Sequence, residues 1–207
     1  MGKLDKTKIV YSWDGPPQIT LKTTEVTYNG RSWLQHILEN DSSSGIGVII
    51  VATHKGKQLF NYHYRPTFEN FLIEYPKGYG TASYDESEAS KSLDDGKREL
   101  LEETGLTTKN SALLGYIYPD VGVMNSKVAV IAVEIDRKTK MTETDGEVDQ
   151  SYWIPITQVK EMIRRSEIRD GLTLSAFTLW REFFDAYSLG KTKKESFCEY
   201  LNRTLDP

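Results

Sequence analysis

Residues Ile46–Ala52 form a nearly continuous apolar run, rich in β-branched side chains. A run of this length reads as a strand with both faces buried. Val128–Ile135 has the same character. Strands without a polar face need helices packed on the sheet, which points to an α/β (α+β) sandwich.

The rest of the chain supplies the partners. Ile9–Tyr11 and Ile19–Val26 are β-rich, with Asp14-Gly15-Pro16-Pro17 as the break between them. Tyr28-Asn29-Gly30-Arg31 carries an Asn-Gly hairpin signal, and Ser32–Leu38 is a third strand. Asn40–Gly45 is a polar turn. His54-Lys55-Gly56-Lys57 turns the buried strand into Gln58–Arg65, and Phe71–Tyr75 is a further short strand. Leu113–Tyr118 and Tyr152–Pro155 also read as strands. Lys77–Ser90 is a Gly-, Ser- and acid-rich loop. Ser92 and Asp95 resemble a capping box that starts a helix ending near Thr104, with Gly105 just past its end. Thr157–Arg165 and Leu172–Tyr187 read as helices, the second with Leu172, Ala176, Leu179, Phe183 and Tyr187 at helical spacing. The tail from Lys191 suits a last short helix.

With 207 residues, the chain fits one large domain, or a domain with a small appendage. A net charge of -4 argues against a general nucleic-acid binder, because phosphate backbones demand a basic face. An anionic substrate then needs local help from Arg, Lys or a metal. The single cysteine, Cys198, excludes an internal disulfide and a Cys-rich zinc site and suits a reducing compartment. Residues 1–6 have no apolar core for a signal peptide, and the apolar runs are too short to span a bilayer. The expectation is a cytoplasmic chain with no membrane partner.

The chemistry is concentrated in Arg98–Leu106. Glu99, Glu102 and Glu103 stand at i, i+3 and i+4, so one helix face carries all three and their oxygens are expected to converge. Like charges so crowded call for a divalent hard cation, Mg²⁺ first and Mn²⁺ as an alternative. Such a cation can clamp a pyrophosphate and ready a water for attack. A solvated helix face is the bland alternative for the acidic cluster taken alone.

Residues 98–106 meet every constrained position of R-E-U-x-E-E-x-G-U, where U is aliphatic. This resembles the second half of the Nudix box. The first half departs from the pattern: the family's Glu falls on Ser90 and its Gly on Tyr84. Pro76-Lys77-Gly78-Tyr79-Gly80 nevertheless resembles the opening of the box in many members. Either Gly78 is the motif glycine, with about six extra residues in 81–89 and Glu86 or Glu88 replacing the carboxylate, or Gly80 and Glu86 keep the spacing. Further, Asn61–Pro66 and Leu72–Gly78 resemble the Q-Y-R-P and L-E-x-P-x-G elements of the ADP-ribose pyrophosphatase branch, with His63 in place of Gln and Ile73 inserted. Gly115–Met124 resembles its strand and Pro-rich substrate loop. The resemblance spans roughly residues 45–185.

The resemblance implies a Nudix-type α/β/α sandwich over residues 43–207, with a mixed sheet. Residues 1–42 would be an antiparallel strand extension that forms a homodimer. It implies metal-dependent hydrolysis of a nucleoside diphosphate sugar, ADP-ribose leading, into a nucleotide and a sugar phosphate. Glu99 and Glu103 would be the main metal ligands, with Glu102 assisting and the Lys77 carbonyl contributing. Arg98 would orient a carboxylate. Arg65 would bind phosphate. Glu74 would stand behind it or contact a nucleoside amine. Gly122, Met124 and Trp33 would meet substrate, Trp33 from the partner chain. Glu147, with Asp149 as its neighbour, would take the proton from water. Two alternatives stay open: a nucleotide-sugar sensor without turnover, and a hydrolase of another pyrophosphate such as a dinucleoside polyphosphate or coenzyme A.

Overall fold

The computed structural model describes residues 3–15, 18–40, 46–81, 88–136, 148–190 and 195–205. Its strands are β1 (Lys3–Trp13), β2 (Ile19–Tyr28), β3 (Arg31–Asn40), β4 (Gly47–His54), β5 (Lys57–Arg65), β6 (Asn70–Glu74), β7 (Lys77–Gly78), β8 (Thr108–Ile117), β9 (Met124–Asn125), β10 (Val128–Ile135) and β11 (Gln150–Pro155). The helices are α1 (Glu88–Thr104), α2 (Ile156–Arg164), α3 (Gly171–Gly190) and α4 (Phe197–Leu205). None is long and apolar enough to cross a membrane among the described residues.

The main sheet runs β11-β5-β4-β10-β8, with β6 on β5 and β7 on β4. It is mixed: β4 and β10 are parallel, the other pairs antiparallel. The two apolar runs are its central strands, and their alternation feeds two cores. Val48, Ile50 and Ala52 of β4, with Ala129, Ile131 and Val133 of β10, pack with Leu100 of α1. Ile49, Val51, Val130 and Ala132 point the other way, to Val159, Ala176, Trp180 and Leu201 of the other helices. This is a Nudix-type α/β/α sandwich. Gly96 lets α1 sit close on the sheet, since a Cβ there would lie 2.5 Å from Ile131 Cδ1.

β1, β2 and β3 form a separate antiparallel ribbon, extended by β9, which runs parallel to β3. Its hairpin turns at Asn29 and Gly30, with φ of 50° and 72°. Positive φ at both central residues matches the right-handed twist of the strands. Lys55 and Gly56 repeat this between β4 and β5, at 47° and 73°. The boundary expected at 42/43 falls in residues 41–45, outside the described ones. Met124 and Asn125 nevertheless tie the ribbon to the second half of the chain.

Three sequence expectations need correction. Helix α1 begins at Glu88 and not at Ser92, which lies inside it and is fully buried. Asp95 does not cap. Its carboxylate accepts from Thr81 N at 2.6 Å and Thr81 Oγ1 at 2.9 Å, closing the preceding loop onto the helix. Strand β8 starts at Thr108, five residues before the expected Leu113, because an edge strand tolerates polar Lys109 and Asn110. The predicted helix stop holds: Gly105 has φ 70° and its N–H donates to Leu101 O at 2.8 Å.

Candidate metal and phosphate site

Strand β7 crosses the face of α1 that carries the carboxylates. A Cβ on Gly78 would stand 2.7 Å from Glu99 Oε1, with Cδ and Oε2 closer still. The missing side chain is therefore the space the Glu99 carboxylate occupies. Gly80 has a different neighbour, since a Cβ there would run into Ile46 O and stand 2.9 Å from Asp95 Oδ2. Both candidate motif glycines thus stand where a side chain would collide, but only Gly78 faces a carboxylate of the Arg98–Leu106 motif. Glu88, one candidate for the missing carboxylate, pairs with Lys127 at the start of α1. Glu86 lies outside the described residues, and Ser90 is in the first turns of α1.

The three carboxylates share a face but divide between two partners, Glu99 and Glu102 on Arg98 and Glu103 on Asn61. Arg98 Nη2 donates to Glu99 Oε1 and Arg98 Nη1 to Glu102 Oε2, both at 2.7 Å. Arg98 Nη2 also reaches Tyr79 O at 2.9 Å. Burial works against the guanidinium charge, but Glu99, Glu102 and Asp95 raise its pKa above the ordinary arginine value. Glu103 is buried and accepts from Asn61 Nδ2 at 2.7 Å. Asn61 Oδ1 in turn accepts from Ser151 Oγ at 2.7 Å, so β11, β5 and α1 are linked by one amide. Among the described residues no three His, Cys, Asp or Glu side chains are gathered as a metal cage. The expected convergence is replaced by a spread set, each carboxylate held in place. Carboxylate oxygens beside a backbone strap are still a donor set for a hard cation, with no imidazole or thiolate to favour a softer one.

Arg65 ends β5 and forks onto Glu74 at the end of β6. Its Nε lies 3.0 and 3.1 Å from the two carboxylate oxygens, and Nη2 lies 2.5 Å from Oε2. The fork raises the Arg65 pKa above its ordinary value. Lys77 Nζ also reaches Glu74, at 2.8 Å. Burial pushes the Glu74 carboxyl up, yet Arg65 and Lys77 hold it below the usual range. At 2% exposure Glu74 suits a counter-ion of Arg65 and not a contact to a nucleoside amine. Arg65 keeps 31% of its side-chain surface, enough to present its remaining donors outward.

Asp149 is exposed at the start of β11 and accepts from Tyr64 N at 3.3 Å. Glu147 lies outside the described residues. The remaining expected contacts, Trp33, Gly122 and Met124, sit together on the ribbon. Trp33 Nε1 donates to Gln35 Oε1 at 3.2 Å, and Gln35 Nε2 donates to Gly122 O at 2.5 Å. Met124 pairs with Leu38. Trp33 and Met124 are both exposed. Sequence reasoning missed Asn61, Ser151, Gln35, Asp170 and Thr173. A polar residue beside Leu59 and Phe60 was the one local hint, for Asn61; the others gain their partners only through the fold.

No protein-family model matches the chain. An ADP-ribose pyrophosphatase of Saccharomyces cerevisiae is 31% identical over 113 residues, which cover 51% of this chain and 46% of that protein. The chain thus spans about half the length of that relative. A crystal structure of an ADP compounds hydrolase superposes with a TM-score of 0.62, covering 89% of this chain and 97% of that one at 17% identity. The chain has a Nudix-type fold, and its resemblance is to the ADP-ribose pyrophosphatase-like branch of that family.

Proposed function

We propose that this chain hydrolyses the pyrophosphate bond of a nucleoside diphosphate sugar with a divalent cation. ADP-ribose is the leading substrate, giving AMP and ribose 5-phosphate. The observation that carries the reading is the Gly78 cradle, which leaves the Glu99 carboxylate room beside the backbone of the strap. Glu99, Glu103 and the Lys77 carbonyl would hold Mg²⁺ or Mn²⁺, with Glu102 assisting. When bound, the cation neutralises phosphate charge and lowers the pKa of water. Arg98 holds Glu99 and Glu102, and Asn61 holds Glu103, so each carboxylate starts from a defined place, and a cation would draw them together. Arg65 offers its outward N–H groups to a phosphate, with Glu74 holding it in place. Water attacks phosphorus, the bridging P–O bond breaks, and Glu147 or Asp149 accepts the proton. Trp33, Gly122 and Met124 contact the nucleotide, Trp33 from a partner chain in a homodimer joined through residues 1–42. The similarity to the yeast pyrophosphatase supports the substrate class.

The test is a panel of nucleotide sugars, dinucleoside polyphosphates and coenzyme A, incubated with Mg²⁺, with a phosphatase freeing phosphate from the products. Release from ADP-ribose, lost in Glu103→Gln, is the expected result. Tight binding with no product throughout would favour the second reading, a sensor, which Ser90 in place of the motif carboxylate supports.

A further inference from the structure

Helix α3 starts beside the strap that carries Gly78. Asp170 Oδ2 accepts from Thr173 N at 2.9 Å and Thr173 Oγ1 at 2.7 Å, as a helix cap does. The same oxygen accepts from Lys77 Nζ at 2.8 Å. The Thr173 hydroxyl, its proton given to Asp170, accepts from Tyr75 N at 3.0 Å. Capping needs neither of these last two contacts. On its other side the strap is tied to β4: Ile50 N donates to Pro76 O at 2.8 Å, and Lys77 and Gly78 pair with Ile49 and Val48. Residues 75–78 are therefore clamped between the sheet and the first turn of α3. Gly78 at the end of the clamp decides where the Glu99 carboxylate can stand.

We propose that Asp170 and Thr173 are positioning residues, which set the Tyr75–Gly78 strap over α1 and so place the Lys77 carbonyl and the Glu99 carboxylate for a cation. The proposal rests on the reading of those two groups as cation-holding. Neither residue touches substrate. Both act through the strap, from an element that the box motif does not include. Lys77 is held between two carboxylates, Glu74 and Asp170, so losing one pulls its side chain toward the other and drags the strap with it.

Mn²⁺ titration of the full chain without nucleotide, read by the electron paramagnetic resonance of the free ion, tests this. Asparagine caps a helix as well as aspartate, so Asp170→Asn keeps α3 while releasing Lys77. Thr173→Ser keeps the hydroxyl and Thr173→Ala removes it. The expected result is wild-type affinity in Thr173→Ser and a loss of about tenfold or more in Asp170→Asn and Thr173→Ala, the size usual for groups that orient metal ligands. The Gly78 amide signal of the metal-free protein, in a proton–nitrogen correlation spectrum, is expected to move in Asp170→Asn. Unchanged Mn²⁺ affinity in Asp170→Asn and Thr173→Ala overturns the proposal. Should the wild-type chain bind no Mn²⁺, the cation reading falls by itself; the Gly78 signal then decides, and a signal that stays put in Asp170→Asn overturns the positioning role.

Discussion

Replacing Gly78 by alanine isolates the cradle from the fold. Gly78 lies outside the left-handed region, so its backbone accepts a side chain without strain. The new methyl would stand 2.7 Å from Glu99 Oε1, whereas ordinary contact begins near 3.4 Å. The nearest oxygens must therefore withdraw by at least 0.7 Å, and the closer Oε2 by more. Glu99 is the end of a rotatable side chain, so it can move, and the loss in stability should stay near 1 kcal/mol. The effect on turnover is larger, because a ligand displaced by about 1 Å costs on the order of 100-fold. The assay is kcat/KM for ADP-ribose with saturating Mg²⁺, beside a thermal melt of the same protein. Shortening the ligand to Glu99→Asp in the Gly78→Ala background draws the carboxylate back by one methylene and should recover part of the loss. Gly78→Ala with a wild-type kcat/KM would refute the cradle, since Glu99 would then need no defined place.

Other perturbations follow from the same geometry. Asn61→Asp sets a second carboxylate where the amide now donates to Glu103 at 2.7 Å; the metal-free protein should melt lower, and Mn²⁺ should raise its Tm more than that of the wild type. Arg65→Ala leaves the buried Glu74 to Lys77 alone and should lower stability by about 3 kcal/mol in urea titration. Lowered pKa values at Glu74 and Asp170 contribute stability that is complete above their unfolded values, near 4.5 and 3.8, and lost as pH falls through the lower folded ones. Acid titration of Asp170→Asn should accordingly show a flatter loss below pH 3.8 than the wild type, and an identical profile would contradict the pairing with Lys77.

Local rules account for most of the elements. The runs at 46–52 and 128–133 are central strands because no polar side chain in them permits an exposed face. Asn29-Gly30 and Lys55-Gly56 turn because their positive φ suits a twisted hairpin. Ser92 and Asp95 suit a cap by residue type alone, yet α1 begins four residues earlier, at Glu88. Asp95 had a stronger alternative in Thr81, visible only once the loop lies against the helix.

For the site, the sequence by itself determined the face: helical periodicity puts Arg98, Glu99, Glu102 and Glu103 within reach of one another at fixed spacing. It also placed Arg65 at the end of a strand, whereas Gly78, read as part of a loop, lies on the short strand β7. Tertiary structure decided the partners. Asn61 meets Glu103 across 42 residues, and Lys77 meets Asp170 across 93. No short-range rule can specify such pairs, because each depends on the sheet order that brings β5, β7 and the start of α3 together. The direction in which a carboxylate points is likewise set by the donor within its reach, which is why Glu103 turns to Asn61 of β5 while Glu99 and Glu102, on the same face, stay with Arg98 of their own helix.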